Sequence, residues 1–178
     1  MEEKNWMQIL SGQNQLAKVI ATNQVTEKFG LVLSEEDAKL LVNEKSESLK
    51  EQKRIEYGES ILPKIIYEFC DSDYISQRNY VEMIGRLQDI FFLYKNEMMD
   101  EISDDELLHF MKEQFETVCY GDLEYLESTC LDVFAQAIRA GYQGYHVTEG
   151  KSEYGKFDLV SRWDHEVYLE VLRELCWR

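Results

Sequence analysis

The sequence contains a single proline, Pro63, and nine glycines, most of which lie between periodic segments. Proline interrupts the helical hydrogen-bond ladder and glycine weakens it, so their scarcity favours long helices joined by short turns. No uninterrupted apolar run approaches the ~20 residues that a helix needs to span a bilayer. The first residues, Met1–Asn5, also lack the basic and apolar regions of a signal peptide. We therefore expect a cytoplasmic protein with no membrane contact.

Basic residues are scarce: 19 Lys and Arg face 35 Asp and Glu, which gives a formal net charge of −16. Binding to nucleic acid or to an anionic membrane requires clustered Lys and Arg. This charge balance therefore argues against direct nucleic-acid binding. Hydrophobic residues make up 44% of the 178 residues, which is enough for one packed core. We predict a single domain over residues 1–178.

Recognisable catalytic motifs are missing from the chain. No G-x-G-x-x-G or Walker-type loop is present for a nucleotide phosphate, and no G-x-S-x-G is present for a nucleophilic serine. The cysteines at 70, 119, 130 and 176 form no C-x-x-C pair, which disfavours zinc-ribbon and thioredoxin-like sites. Isolated cysteines on apolar helix faces usually act as small core residues. We predict a protein without catalytic residues or a cofactor.

Apolar residues recur at helical spacing along most of the chain. Ser34 and Ser103 each begin a capping box, and Asp122 can cap a further helix. Pro63 fits a helix only in its first turn. Glycines and β-forming aromatics over 142–160 indicate either a small β-hairpin or an aromatic-rich loop. The predicted fold is an all-α bundle of about six or seven helices, over roughly 14–25, 35–53, 61–69, 76–99, 103–121, 122–141 and 161–177.

Six stretches of the sequence form a recognisable set: Thr26–Leu31, Leu33–Ala38, Arg54–Gly58, Phe69–Ile75, Phe91–Glu97 and Asp104–Leu107. Together they resemble a family of small proteins of unknown function from Gram-positive anaerobic bacteria. The resemblance covers about 26–141 and implies a bacterial, cytoplasmic origin, but no activity, cofactor or site residue.

One set of side chains has the spacing of a metal site. Asp105, His109 and Glu113 align at i, i+4 and i+8 on one helix face and could hold one divalent ion. The alternative is a solvated face on which the histidine is weakly paired with carboxylates. Glu106 and His109 form an E-x-x-H pattern, but a di-iron bundle needs a second copy, and Glu106 is already explained as a capping residue.

The acids are concentrated in one part of the chain. Twelve acids and one base, Lys112, lie between residues 97 and 132, which gives a net charge of −11. This charge would attract a basic surface through the solvent. We therefore regard Asp104, Asp105, Glu116 and Glu124 as candidate partner-binding residues, together with the tail aromatics Tyr145 and Tyr154.

Three functions remain open from these observations. The first is a non-catalytic interaction module that binds a basic protein through its acidic helices. The second is a metal- or small-molecule-binding enzyme that uses Asp105, His109 and Glu113. The third is a nucleic-acid mimic that occupies a basic groove. The sequence indicates neither the oligomeric state nor which partner is bound. A solvated surface that binds no partner is the alternative explanation of the acidic helices.

Overall fold

The computed structural model describes residues 2–140, with side chains from residue 10 onward. These residues contain helices and turns and no strand. The helices are α1 (Glu2–Ala21), α2 (Asn23–Thr26), α3 (Glu35–Glu51), α4 (Ile61–Phe69), α5 (Tyr80–Glu97), α6 (Asp104–Thr117), α7 (Leu123–Tyr125) and α8 (Asp132–Arg139). A 3-10 turn at Glu27–Phe29 follows α2, and a π-helical segment at Leu126–Leu131 joins α7 to α8.

The all-α prediction is confirmed for the described residues. The predicted hairpin or loop over 142–160 and the predicted helix over 161–177 lie outside them. The start of the first helix differs from the prediction, because α1 begins at Glu2 and continues through Gly12. A glycine inside a helix costs only about 1 kcal/mol relative to alanine, so it need not mark a boundary.

The chain divides into two compact units, of which the first ends at Phe92 and the second begins at Leu93. A single domain stays a prediction, because compact units of this kind occur within domains as well as between them. None of the helices in the described part of the chain is long and apolar enough to cross a bilayer.

An extended segment, residues 31–34, precedes α3 in the first unit and is held by side-chain amides. Asn23 exchanges two hydrogen bonds of 2.8 Å with the backbone of Leu33, and Gln77 exchanges two with Val32. These bonds satisfy backbone groups that have no helical or strand partner. The segment then delivers Ser34 as the N-cap of α3, where it forms the predicted capping box with Asp37.

The core of the first unit comes from α3, α4 and the N-terminal part of α5, and α1 packs on α3 and α4 with Val19 buried. Pro63 is the third residue of α4, so it lies in the first turn, as the sequence requires. The side-chain amide of Gln88 on α5 donates to the backbone carbonyl of Leu41 on α3 at 3.2 Å. The fully buried apolar residues of these helices include Ala38, Leu41, Leu62, Ile65, Ile66, Phe69, Ile84 and Leu87.

The second unit is built around α6 and the continuous run from α7 to α8. Ser103 and Glu106 form the second predicted capping box at the start of α6. Phe110 on α6 stacks on Phe134 on α8, with ring centroids 3.8 Å apart. Leu107, Leu108, Met111 and Phe115 of α6 are buried, and so are Leu126, Cys130 and Phe134 in the following run. This packing leaves the polar faces of both helical elements to solvent.

Candidate functional site

The described part of the second unit is strongly acidic. Residues 93–140 include twelve acidic and three basic residues, which gives a net charge of −9. Seven of the acidic side chains are exposed, and we call these seven the acidic surface: Glu97, Asp100, Glu101, Asp104, Asp105, Asp122 and Glu124.

Each of the three bases in this segment pairs with an acid of the same unit. Arg139 lies 2.7 Å from Glu97, and Lys112 lies 3.0 Å from Glu116. Lys95, which is itself buried, lies 2.9 Å from Asp104. The bases are thus engaged within the unit, and acids still exceed them by nine charges. The field of this unit therefore attracts cations.

A strained turn follows α5, and four residues of the acidic surface lie in or next to it in the chain: Glu97, Asp100, Glu101 and Asp104. Met99 and Asp100 have left-handed φ angles of 51° and 57°, which cost non-glycine residues about 1–2 kcal/mol each. The buried ammonium of Lys95 holds the turn, because it donates to the carbonyl of Ile102 at 2.6 Å and pairs with Asp104. Met99 is 65% exposed. The turn therefore exposes a large apolar side chain, and Asp100 and Glu101 follow it directly in the chain.

A second strained turn follows α6. Tyr120 has a φ of 49° and is 69% exposed, and Gly121 continues the turn at a φ of 84°. Asp122 then caps α7, because one carboxylate oxygen accepts from the backbone N–H groups of Glu124 at 2.9 Å and Tyr125 at 3.1 Å. Tyr125 is also exposed. Two tyrosines are thus fixed beside two residues of the acidic surface.

The predicted partner-binding residues have different surroundings. Asp104 and Asp105 are exposed in the first turn of α6, and Glu124 is exposed in α7. Glu116 is half-buried beside Lys112, so it contributes less to an outer face. Tyr145 and Tyr154 lie outside the described residues.

Met99, Tyr120 and Tyr125 were not among the residues predicted from the sequence. Their signal in the sequence is a bulky apolar residue at or next to the end of a helix.

The predicted metal residues are not assembled into a ligand set. Among residues 2–140, no group of three or more His, Cys, Asp and Glu side chains could hold a metal ion. Burial raises the pKa of Glu113 to about 7, and the charge of His109 opposes this shift. One oxygen of Glu113 has no hydrogen-bond partner in the described structure. Metal binding by Asp105, His109 and Glu113 stays a prediction, without support from their arrangement.

Two cysteines that are distant in sequence meet in the second unit. Cys119 follows α6, Cys130 lies in the π-helical segment, and their sulfur atoms are 3.6 Å apart in a buried position. Either thiol can donate in this hydrogen bond, and the interaction lowers the pKa of Cys130 and raises the pKa of Cys119. Cys70, in contrast, is buried and donates to the carbonyl of Tyr67 in its own helix. Cys119 and Cys130 are eleven residues apart in the chain, which is not the spacing of a recognisable cysteine motif, so the sequence did not predict this pair.

A groove of about 560 Å³ lies in the first unit between α3 and the start of α5. Burial and the charge of Asp89 raise the pKa of Glu44 within it. Gly85 makes room for Glu44, since a Cβ at Gly85 would lie 2.6 Å from a Glu44 carboxylate oxygen. The groove mixes four carboxylates with two guanidinium groups, so its charge selects no single ligand class. The lining residues are Asp37, Leu40, Glu44, Gln77, Arg78, Val81, Glu82, Gly85, Arg86 and Asp89.

Over the described residues, the fold and these surfaces define an all-α protein whose second unit is acidic and exposes Met99 and Tyr120 at strained turns. The chain belongs to the family of unknown function DUF6323, whose model matches residues 18–144. This match confirms the resemblance to a family of unknown function and extends it by a few residues at each end. No curated protein and no solved structure matches the chain.

Proposed function

We propose that this protein is a non-catalytic, cytoplasmic interaction protein of a bacterium, and that its acidic surface binds a basic protein. One observation carries the proposal. Seven exposed carboxylates and three exposed apolar side chains, Met99, Tyr120 and Tyr125, occur in one unit whose described residues have a net charge of −9, and each of the three lies within two residues of an exposed carboxylate in the chain.

The two kinds of side chain have different effects on association. Exposed carboxylates attract a basic partner over a distance of about one Debye length and so raise the association rate. Large apolar side chains contribute to the stability of the complex, because their burial removes apolar surface from water. An acidic surface that served only solubility would not need large apolar side chains at backbone positions that cost energy.

The first experiment captures partners on the immobilised full-length protein from a lysate of its source organism. The NaCl concentration is about 0.1 M in one arm and about 1 M in the other, because the Debye length falls from ~10 Å to ~3 Å between them. We expect a basic protein that is retained at the lower concentration and released at the higher one. The absence of a partner under both conditions would contradict the proposal.

The captured partner is then purified and tested by surface plasmon resonance against matched variants. The double variant Asp105→Asn/Glu124→Gln should associate several-fold more slowly at ~0.1 M NaCl, since long-range attraction between opposite charges acts mainly on the association rate. Glu27→Gln/Glu36→Gln removes the same charge from exposed positions of the first unit and should change the rate little.

The apolar contribution is measured on the same instrument. Tyr120→Ser should raise the dissociation rate by about tenfold or more, because a buried aromatic anchor is typically worth at least ~1.4 kcal/mol. Tyr57→Ser alters a tyrosine of the first unit that is 83% exposed, so it is the matched control. Equal effects of the two tyrosine variants would place the contact elsewhere.

A further inference from the structure

The sulfur atoms of Cys119 and Cys130 lie 3.6 Å apart, and a disulfide requires about 2.05 Å. The two sulfur atoms must therefore approach each other by about 1.5 Å to form the bond. The two elements that carry the cysteines can accommodate this movement. Cys119 lies in the turn that continues through Tyr120 and Gly121, both at left-handed φ angles. Cys130 lies in a π-helical segment, where the helix accommodates one extra residue per turn and is locally less regular.

We propose that Cys119 and Cys130 are a reversible redox pair that hydrogen peroxide converts into an intramolecular disulfide. The two thiols come from different elements and are hydrogen-bonded to each other. Cys70 shows the contrasting arrangement of a single buried thiol, which donates to a carbonyl of its own helix.

The chemistry proceeds in two balanced steps. The Cys130 thiolate attacks one oxygen of hydrogen peroxide, the O–O bond breaks, and the departing hydroxide takes up a proton to leave as water. Cys130 is now a sulfenic acid. The Cys119 sulfur then attacks the Cys130 sulfur, the S–O bond breaks, and the leaving hydroxide takes the Cys119 proton. In total, two thiols and one peroxide give one disulfide and two waters.

The shared hydrogen bond, in which either thiol can be the donor, lowers the pKa of Cys130 and raises that of Cys119. We therefore assign Cys130 as the first nucleophile, since the thiolate is the reactive form. Cys119 keeps its proton until the second step. Hydrogen peroxide is close to water in size, so it suits a buried pair better than a bulky disulfide reagent does.

The disulfide would close a loop over residues 119–130. This loop contains Tyr120, Tyr125, Asp122 and Glu124, which are part of the surface that we propose for partner binding. Oxidation would therefore restrain that surface. This consequence rests on the proposed function, whereas formation of the disulfide does not.

The test treats the reduced full-length protein with a small excess of hydrogen peroxide. Intact-mass spectrometry without reductant should show the loss of two hydrogens, and peptide mapping should find residues 119 and 130 in one linked pair. Dithiothreitol should restore the original mass. A different cysteine pair in the map, or sulfinic acid without a crosslink, would overturn the proposal.

Variants provide a second, independent arm. Cys119→Ser and Cys130→Ser should each fail to form the crosslink, while Cys70→Ser/Cys176→Ser should form it at the wild-type rate. Circular dichroism confirms that each variant is folded, and the wild-type peptide map decides the question for any variant that is not. Unchanged crosslinking in Cys130→Ser would exclude the pair.

A final readout separates the disulfide from its consequence. Chymotrypsin cleaves after exposed aromatic residues, so cleavage after Tyr120 and Tyr125 should be several-fold slower in the oxidised protein than in the reduced one. A disulfide that forms without slowing this cleavage would refute the restraint on the loop while leaving the redox pair intact. Neither result depends on whether a basic partner binds.

Discussion

Lys45 is a charged residue that is only 1% exposed, and it joins three parts of the first unit. Its ammonium on α3 lies 2.6 Å from a carboxylate oxygen of Glu56 and 2.8 Å from the hydroxyl of Ser60. The other oxygen of Glu56 accepts from the backbone N–H of Ile61, the first residue of α4. The ion pair therefore also supplies the N-terminal cap that Ser60 does not provide.

Removing Lys45 should be costly, because it leaves the largely buried Glu56 carboxylate without its counter-charge. We expect Lys45→Ala to lower the free energy of unfolding by about 3 kcal/mol, as is typical when one partner of a buried ion pair is lost. Urea denaturation measures this change. Lys50→Ala removes a lysine from an exposed pair with Glu47 and should change stability by less than about 0.5 kcal/mol. Similar effects of the two variants would show that the Lys45 pair contributes little.

Glu113 should make stability depend on pH. Its pKa in the folded protein is raised from 4.5 to about 7, so ionisation is less favourable in the folded than in the unfolded state. The resulting penalty is absent below the unfolded-state pKa, grows between pH 4.5 and about 7, and is complete above that range. Because Glu113 is partly exposed, solvent screens part of the contribution that its pKa shift makes to the free energy of unfolding. We therefore expect Glu113→Gln to stabilise the protein by about 1–2 kcal/mol at about pH 8.

The same variant should have little effect at about pH 5, where the folded protein keeps Glu113 protonated. Urea denaturation of both proteins at the two pH values measures the difference. Glu124→Gln, at an exposed position, is the control. A gain in stability that is equal at both pH values would show that packing, and not ionisation, explains the effect of Glu113→Gln.

At the scale of the elements, the capping boxes show how local signals begin helices. The backbone N–H of Glu106 donates to the hydroxyl of Ser103 at 3.2 Å, and the N–H of Ser103 donates to the Glu106 carboxylate at 2.9 Å.

We expect Ser103→Ala to lower the free energy of unfolding, measured by urea denaturation, by about 1 kcal/mol, because it leaves a backbone donor of α6 unsatisfied. Ser128→Ala removes an exposed hydroxyl that bonds only to a carbonyl one turn earlier, and it should cost a few tenths of that amount. A Ser103 effect no larger than the Ser128 effect would contradict the capping role.

These boxes could be predicted from the sequence because all of their atoms lie within four consecutive residues. The same holds for Pro63 in the first turn of α4 and for the Asp122 cap of α7. The apolar faces of α3 to α6 were also predictable, since helical spacing reports directly which side chains point inward. The starts of these helices and their buried faces could therefore be predicted from short stretches of the sequence.

Other features depend on contacts between distant residues and left no local pattern. The thiols of Cys119 and Cys130 meet only because the π-helical segment folds back onto the end of α6. The left-handed turn at Met99 is held by Lys95, whose role is visible only once its ammonium is seen to reach Ile102. The exposed apolar residues of the candidate site were missed for this reason, whereas its carboxylates were found by counting charge.

At the scale of the whole molecule, charge is distributed unevenly along the chain. Residues 1–92 have sixteen acidic and eleven basic residues, a net charge of −5, whereas residues 93–140 have a net charge of −9 over a shorter segment. Like charges at this density repel one another in the folded state. The repulsion opposes stability, and the same field would favour binding of a basic partner.

Salt should therefore have opposite effects on stability and on binding. Raising NaCl from about 10 mM to about 200 mM shortens the Debye length from ~30 Å to below ~8 Å, so it screens the repulsion and should raise the melting temperature measured by calorimetry. The same change should weaken binding of the basic partner, because it screens the attraction as well. The variant Asp105→Asn/Glu124→Gln carries two fewer charges on the acidic surface, and both of its salt responses should be smaller than those of the wild type. A wild-type melting temperature that falls over this range would show that favourable ion pairs such as Lys95–Asp104 outweigh the repulsion between the acids. In that case the excess negative charge would not destabilise the free protein, and binding of a basic partner would relieve no repulsion.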